Sequence, residues 1–279
     1  MKIGYATTIG NFDGLHLGHA ALIAKIKINA KKMNLKTKVI TFNPYPFEFF
    51  ELEKNRILSE VDKKSILADF KIDKVNTIDF SDDFRRTSAE EFFTKYLLEE
   101  DVKYLIVGKD FKFGKERSGD FDFLSDWGSN NQIEVDRIPT HSFEGRRVSS
   151  TWIRESIADG NFDLAAKLLD RRYTFSGKVV FGNKVGRTIG VPTANIWVPK
   201  SNLPIKGVYA VKALVKGETF NGIANMGVRP TVGGTSPVLE IHIFDFNEEI
   251  YGCRIEVEFY QKIRNEKKFE NLDLSLIHI

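Results

Sequence analysis

Two histidines three residues apart, His16 and His19, stand in a glycine-bearing run, Gly10-Asn11-Phe12-Asp13-Gly14-Leu15-His16-Leu17-Gly18-His19. The run follows a short β-prone segment, Ile3 to Ile9, and opens a predicted helix from about Gly18 to Met33. Glycines at 10, 14 and 18 let backbone amides approach an anion, and the helix N-terminus adds the positive end of its dipole. Imidazoles at this spacing share one side of the opening helical turn. There they can donate hydrogen bonds to phosphate oxygens as negative charge builds during a transfer. A surface histidine beside a capping histidine is the plainer alternative; a turn of the right kind around the pair argues against it.

Two further constellations carry the same kind of chemistry. Ser149, Ser150 and Thr151 precede a predicted helix from Trp152 to Ala158, where hydroxyls and free amides meet an anion. Arg154 lies one turn in, with a planar fork suited to phosphate oxygens, although an ordinary N-cap with a solvated arginine explains the same residues. The run from Gly182 to Asn195 is no Walker A loop, which needs Gly-x4-Gly-Lys-Ser/Thr between a strand and a helix. Its glycines, Gly182, Gly186 and Gly190, permit close backbone approach to phosphates. Thr193 and Asn195 offer neutral oxygens on one face of an extended segment, ligands that magnesium accepts beside waters and phosphate oxygens. Further on, Glu240 and His242 share one strand face and Leu239, Ile241 and Ile243 the other. Pattern alone favours a solvated outer face for that pair.

The elements that must position these residues fall into two kinds. Up to about residue 170, strand-like and helix-like segments alternate. Leu22, Ile23, Ile26, Ala30 and Met33 line one helix face while Lys25, Lys27, Lys31 and Lys32 take the other. Val39 to Phe42 is a strand stopped by Pro44 and Pro46. Capping boxes at Ser59 and Ser88 open helices, and Tyr104 to Val107 is the continuous apolar run of a covered strand. This is an α/β domain with a parallel sheet. After a helix from about Asn161 to Leu169, short β-prone runs separated by glycine-bearing turns predict a small barrel or sandwich. The predicted domains are residues 1–172 and 173–279.

Composition narrows the class. Of 279 residues, 42% are hydrophobic and 28% charged, as in a soluble globular protein. A net charge of +3 is too small for a nucleic-acid footprint. No apolar run is long enough for a membrane span, and the start lacks the apolar region of a signal peptide. Cys253 stands alone, which excludes an intramolecular disulfide and a cysteine-based zinc site. The expectation is a cytoplasmic protein that binds neither nucleic acid nor membrane.

His16-Leu17-Gly18-His19, preceded by Phe12-Asp13-Gly14, resembles the nucleotidyltransferase superfamily that moves an adenylyl group from ATP. Phe42-Asn43-Pro44-Tyr45-Pro46, the loop from Gly108 to Asp120, and Val148 to Arg154 resemble the bacterial bifunctional riboflavin kinase/FAD synthetase family, in its order and spacing. Gly182 to Asn195, Gly207 to Val211, Asn225 to Thr231 and Leu239 to Ile243 resemble the riboflavin kinase half, and Ile263 to Phe269 does so less closely.

The resemblance implies a Rossmann-like, nucleotidyltransferase-like first domain that turns FMN and ATP into FAD and pyrophosphate. It implies ATP contacts at Gly10, Phe12, Gly14, Gly18, Ser149, Ser150 and Thr151, catalysis by His16, His19 and Arg154, and flavin contacts at Asp110 and Phe113. For the second domain it implies a small riboflavin kinase barrel making FMN. There ATP would meet Gly182, Gly186, Arg187 and Gly190, and Mg2+ would sit on Thr193 and Asn195. Glu240 would be the general base for the 5′-hydroxyl, and Arg264 would lie on the flavin side.

Two departures stand out. Family members continue past the Lys-Phe pair at Lys268-Phe269 into a longer amphipathic helix, whereas this sequence reaches only Ile279. That leaves a second reading, an adenylyltransferase with a weakened kinase half, and a third, a non-catalytic flavin-binding protein. Leu169-Asp170 replaces a leucine-glycine pair, which predicts a helix without its usual C′ glycine.

Overall fold

The computed structural model describes residues 3–52, 55–182, 191–198, 203–231 and 234–266. By internal packing the chain divides into two units, residues 1–54 with 60–150 and residues 55–59 with 151–279.

The first unit is a five-stranded sheet of order β3-β2-β1-β4-β5, every neighbouring pair parallel. In chain order, β1 (Tyr5–Ile9) leads into α1 (Leu17–Met33) and β2 (Lys36–Asn43). Next come α2 (Pro46–Phe49), α3 (Glu60–Asp69), β3 (Lys74–Asp79), α4 (Asp82–Arg85) and α5 (Ala89–Phe93). Then follow β4 (Val102–Gly108), α6 (Phe121–Asn130), β5 (Glu134–Ile138) and a hairpin of β6 (Ser142–Phe143) and β7 (Arg146–Arg147). Central strands read as unbroken apolar runs because both faces are covered; Leu105, Ile106 and Val107 of β4 are all buried. The chain runs outward from β1 to β3 and then returns to lay β4 beside β1. That reversal makes a crevice beyond the ends of β1 and β4, the place where open parallel sheets bind ligands.

At the opposite, starting edge of the strands, Lys38 is fully buried. Its Nζ lies 2.9 Å from Glu100 Oε2 and 3.9 Å from the centre of the Tyr5 ring, while Lys74 reaches the same carboxylate oxygen at 2.6 Å. Hydrogen bonds from Lys74 and then Lys38 hold the Glu100 carboxyl down at about 2, and burial lowers the pKa of Lys38.

The second unit carries α7 (Ser150–Ala158), which begins at the division, and α8 (Phe162–Leu169). Its strands are β8 (Thr174–Val180), β9 (Ala194–Trp197), β10 (Gly207–Val215), β11 (Glu218–Thr231), β12 (Gly234–Ile243) and β13 (Arg254–Arg264). They close in the order β10-β11-β12-β9-β8-β13, so the strand-rich remainder is a barrel and not a sandwich. Alternation fills it: Val211, Ala213, Ala224, Leu239, Ile241, Val257 and Phe259 are buried. The packing division precedes the change of periodicity near residue 172 because α8 buries its apolar face in this unit. Phe162 stacks on Phe259 at 5.8 Å between ring centres and meets Tyr209 edge-on at 5.6 Å.

Candidate active sites

In the first unit the turn after β1 is held by backbone contacts before any ligand is considered. Gly10 N donates to Ile40 O at 3.1 Å, and Thr41 Oγ1 donates to Asn11 O at 3.0 Å. Phe12 and Leu15 take positive φ values of 53° and 45° with fully buried side chains, a conformation that burial enforces. The result aims the helix end outward. His16 is the N-cap of α1, and the first turn carries no acidic residue to occupy its positive end. The His16 and His19 rings stack at 3.8 Å with 20° between planes, and the buried Phe12 ring lies 5.0 Å from His19. Phe12 therefore supports a histidine with its ring and has only its backbone to offer a nucleotide. Gly18 packs tightly beside the first imidazole: a Cβ there falls 3.1 Å from His16 Cε1, closer than most real contacts, so the ring would have to give way.

Ser150 opens α7, and its hydroxyl donates to Asp13 O at 2.8 Å, tying the serine-rich segment to the histidine turn. Ser149 precedes the helix, and Thr151 is exposed. Thr151 and Arg154 pack with the second unit, where Arg154 Nε donates to Asn55 O at 2.6 Å and Asn55 Nδ2 donates to Leu203 O at 3.3 Å.

Beside the turn lies a cavity of about 690 Å³. Gly10, Asp110 and Phe113 line it, together with an apolar wall that includes Phe42, Phe47 and Phe84. Phe111 and Phe113 stack at 5.6 Å, and Phe92 packs against Phe113 at 5.0 Å. Flat aromatic walls suit a planar heterocycle. Asp110 is ion-paired with Arg147 of β7. The Phe42-to-Tyr45 segment is braced from below by buried Lys63, whose Nζ lies 3.2 Å from Phe42 O, 3.0 Å from Glu60 Oε2 and 4.5 Å from the Tyr45 ring centre.

The aromatic wall and the Asp110–Arg147 pair were missed by motif reading. Its one available signal was abundance: 23 phenylalanines, many between Phe42 and Phe123.

In the second unit Glu240 of β12 sits in register with Asn195 of β9. Asn195 is buried, and a Cβ on Gly182 would come within 2.6 Å of its Cγ, so only glycine lets the chain cross there. Thr193 is exposed just before β9 and borders a small cavity of about 70 Å³ with Ala194 and Ile241. Glu240 and His242 do share the outer face, both half-buried. His242 Nδ1 lies 2.9 Å from Pro192 O, so that nitrogen carries a proton and donates, fastening the strand that leads to Thr193. Arg264 ends β13 with Nη1 donating to Asn265 O at 3.3 Å. Gly186, Arg187, Gly190, Phe269 and the C-terminal tail lie outside the described residues. Among the described residues no helix is long and apolar enough to cross a membrane.

Comparison with known proteins gives the family. The FAD synthetase family model matches residues 2–152 and the riboflavin kinase model residues 169–277. A bifunctional riboflavin kinase/FMN adenylyltransferase of Haemophilus influenzae is 44% identical over 97% of this chain and 89% of its own length. One from Escherichia coli (strain K12) is 41% identical over 97% and 88%. A crystal structure described as a macrolide-efflux protein from Streptococcus pneumoniae superposes with a TM-score of 0.83 at 32% identity, over 99% of this chain and 92% of that one. The chain belongs to the bifunctional riboflavin kinase/FMN adenylyltransferase family, and it uses ATP to phosphorylate riboflavin to FMN and to adenylylate FMN to FAD.

Proposed function

We propose that His16 and His19 neutralise the charge that develops on ATP as the FMN phosphate attacks its α-phosphorus. A terminal FMN phosphate oxygen forms the new P–O bond, the bond to the β-phosphate breaks, and pyrophosphate leaves with the electron pair. The nucleophile is already an anion, so positioning and charge stabilisation dominate and no strong base is required. The backbone of Gly10, Phe12, Gly14 and Gly18, with Ser149, Ser150 and Thr151, holds the phosphates, and Arg154 adds a fork of donors. The flavin ring occupies the aromatic cavity beside Phe113, with Asp110 at its edge. The stacked histidine pair at the head of α1, beside that cavity, carries the reading.

In the barrel, Glu240 accepts the proton of the riboflavin 5′-hydroxyl as its oxygen attacks the γ-phosphorus and ADP leaves. Gly182, Gly186, Arg187 and Gly190 cradle the nucleotide, and Arg264 lies on the flavin side. No group of three or more His, Cys, Asp or Glu side chains is gathered for a metal among the described residues. The neutral oxygens of Thr193 and Asn195 fit an ion that keeps its waters and phosphate oxygens, as Mg2+ does. When bound, Mg2+ supplies charge neutralisation at the phosphates. The functional boundary falls near residue 172, with Ser150 to Arg154 serving the first reaction wherever they pack.

The test is a time course with purified protein, ATP and Mg2+, flavins being separated by chromatography. Starting from riboflavin, FMN accumulates first and FAD follows. FAD formed from added FMN, with riboflavin left untouched, would overturn the two-site reading and leave the adenylyltransferase alone.

A further inference from the structure

The outer face of the barrel carries three polar side chains in one row. Asn195 of β9, Glu240 of β12 and Asn225 of β11 are direct cross-strand partners. Their sequence neighbours Ile196, Leu239, Ile241, Ala224 and Met226 are buried in the barrel interior, which turns the row outward. Adjacent strands lie about 4.8 Å apart, so Asn225 stands about 10 Å from Asn195 with Glu240 between them.

Asn225 differs from its neighbours in one respect. Its Oδ1 is buried and accepts no hydrogen bond. A buried carbonyl oxygen without a donor costs stability, and beside a substrate site the donor that relieves it can arrive with the ligand. The partner must be a donor. A phosphate at pH 7 offers only acceptors, which excludes the nucleotide's phosphates. A cation that neutralises those phosphates would be held by Thr193 and Asn195, across Glu240.

We infer that Asn225 binds the ribityl chain of riboflavin, its Oδ1 accepting a hydrogen bond from the 4′-hydroxyl next to the reacting 5′-carbon. The inference rests on Glu240 being the base for the 5′-hydroxyl. In-line transfer puts the phosphoryl donor on one side of the attacking oxygen and the remainder of the alcohol on the other. With the nucleotide on the Asn195 side, the ribityl chain leaves over β11 and meets Asn225. Asn225 is then a specificity-determining residue that selects a polyol over a simple alcohol.

The test measures kinase kcat/KM for riboflavin and for its 4′-deoxy analogue, with the intact protein and with Asn225→Ala. The intact protein loses about tenfold on the deoxy analogue, the size of one hydrogen bond. Asn225→Ala loses a similar factor on riboflavin and nothing more on the analogue. Asn225→Ser, which keeps an acceptor, guards against a folding defect and falls between the two. Unchanged FMN adenylylation and a melting temperature no lower than the parent's show that each variant is folded. The same 4′-deoxy penalty in the intact protein and in Asn225→Ala overturns the inference. Glu240→Gln is assayed alongside: full kinase turnover there overturns the base assignment instead, a result separate from the Asn225 comparison.

Discussion

Gly18 shows how narrowly the histidine pair is built. A Cβ at that position falls 3.1 Å from His16 Cε1 and 3.2 Å from its Nδ1, so Gly18→Ala must tilt the imidazole or shift the turn. A displaced charge-stabilising group costs roughly tenfold or more in rate, since positioning within a fraction of an ångström governs such transfers. We expect Gly18→Ala to lower FMN adenylylation about tenfold and to leave riboflavin phosphorylation unchanged in parallel assays. The histidine pair was legible in the sequence because residue type and spacing are local quantities. The partners of Asp110 and Phe113 were not. Arg147 lies 37 positions from Asp110, and the aromatic wall is gathered from β2, α2, α4 and α5. No spacing rule links residues brought together only by a sheet's topology.

Element boundaries were legible where capping chemistry is explicit. Ser88 Oγ accepts from Glu91 N at 3.1 Å, and Glu91 Oε2 accepts from Ser88 N at 2.8 Å, closing the box that the sequence announced. The end of α8 behaves differently from its expectation. Without glycine, Asp170 itself adopts the left-handed conformation, at φ 57° and ψ 27°, and its N–H reaches Ala166 O. The cap survives, at the steric cost an L-residue meets there. Asp170→Gly is therefore expected to stabilise the protein by about 0.5–1 kcal/mol, read from the midpoint of urea unfolding. A lowered midpoint would mean that the aspartate side chain contributes more than its backbone costs. The packing of α7 and α8 with the barrel was not legible, because an amphipathic helix shows that it has a buried face without showing which neighbour covers it.

At the scale of the whole chain, the packing divides into two units, and the first has a buried charge cluster of its own. In the first, Glu100 is held at about 2 against an ordinary 4.5, first by the hydrogen bond from Lys74 and then by that from Lys38. A depressed carboxyl stabilises the fold above its unfolded pKa, and that contribution is lost as pH falls through about 2. Glu100→Gln removes the charge facing fully buried Lys38 and is expected to cost about 1–3 kcal/mol at pH 7, with less further loss on acidification than the parent shows below pH 4.5. Denaturant melts followed across that pH range measure both. Adenylylation should weaken with this loss before kinase activity does, since Glu100 belongs to the first unit.

Independence of the two sites is tested most directly by one flavin time course run with His19→Ala and Glu240→Gln side by side, each given riboflavin, ATP and Mg2+. With His19→Ala, FMN accumulates at the parent rate while FAD formation falls by about a hundredfold. With Glu240→Gln, riboflavin persists, its phosphorylation slowed by about a hundredfold or more, and FMN added later is converted to FAD at the parent rate. If either substitution abolishes both steps in a protein that still melts normally, the assignment of one chemistry to each site is wrong.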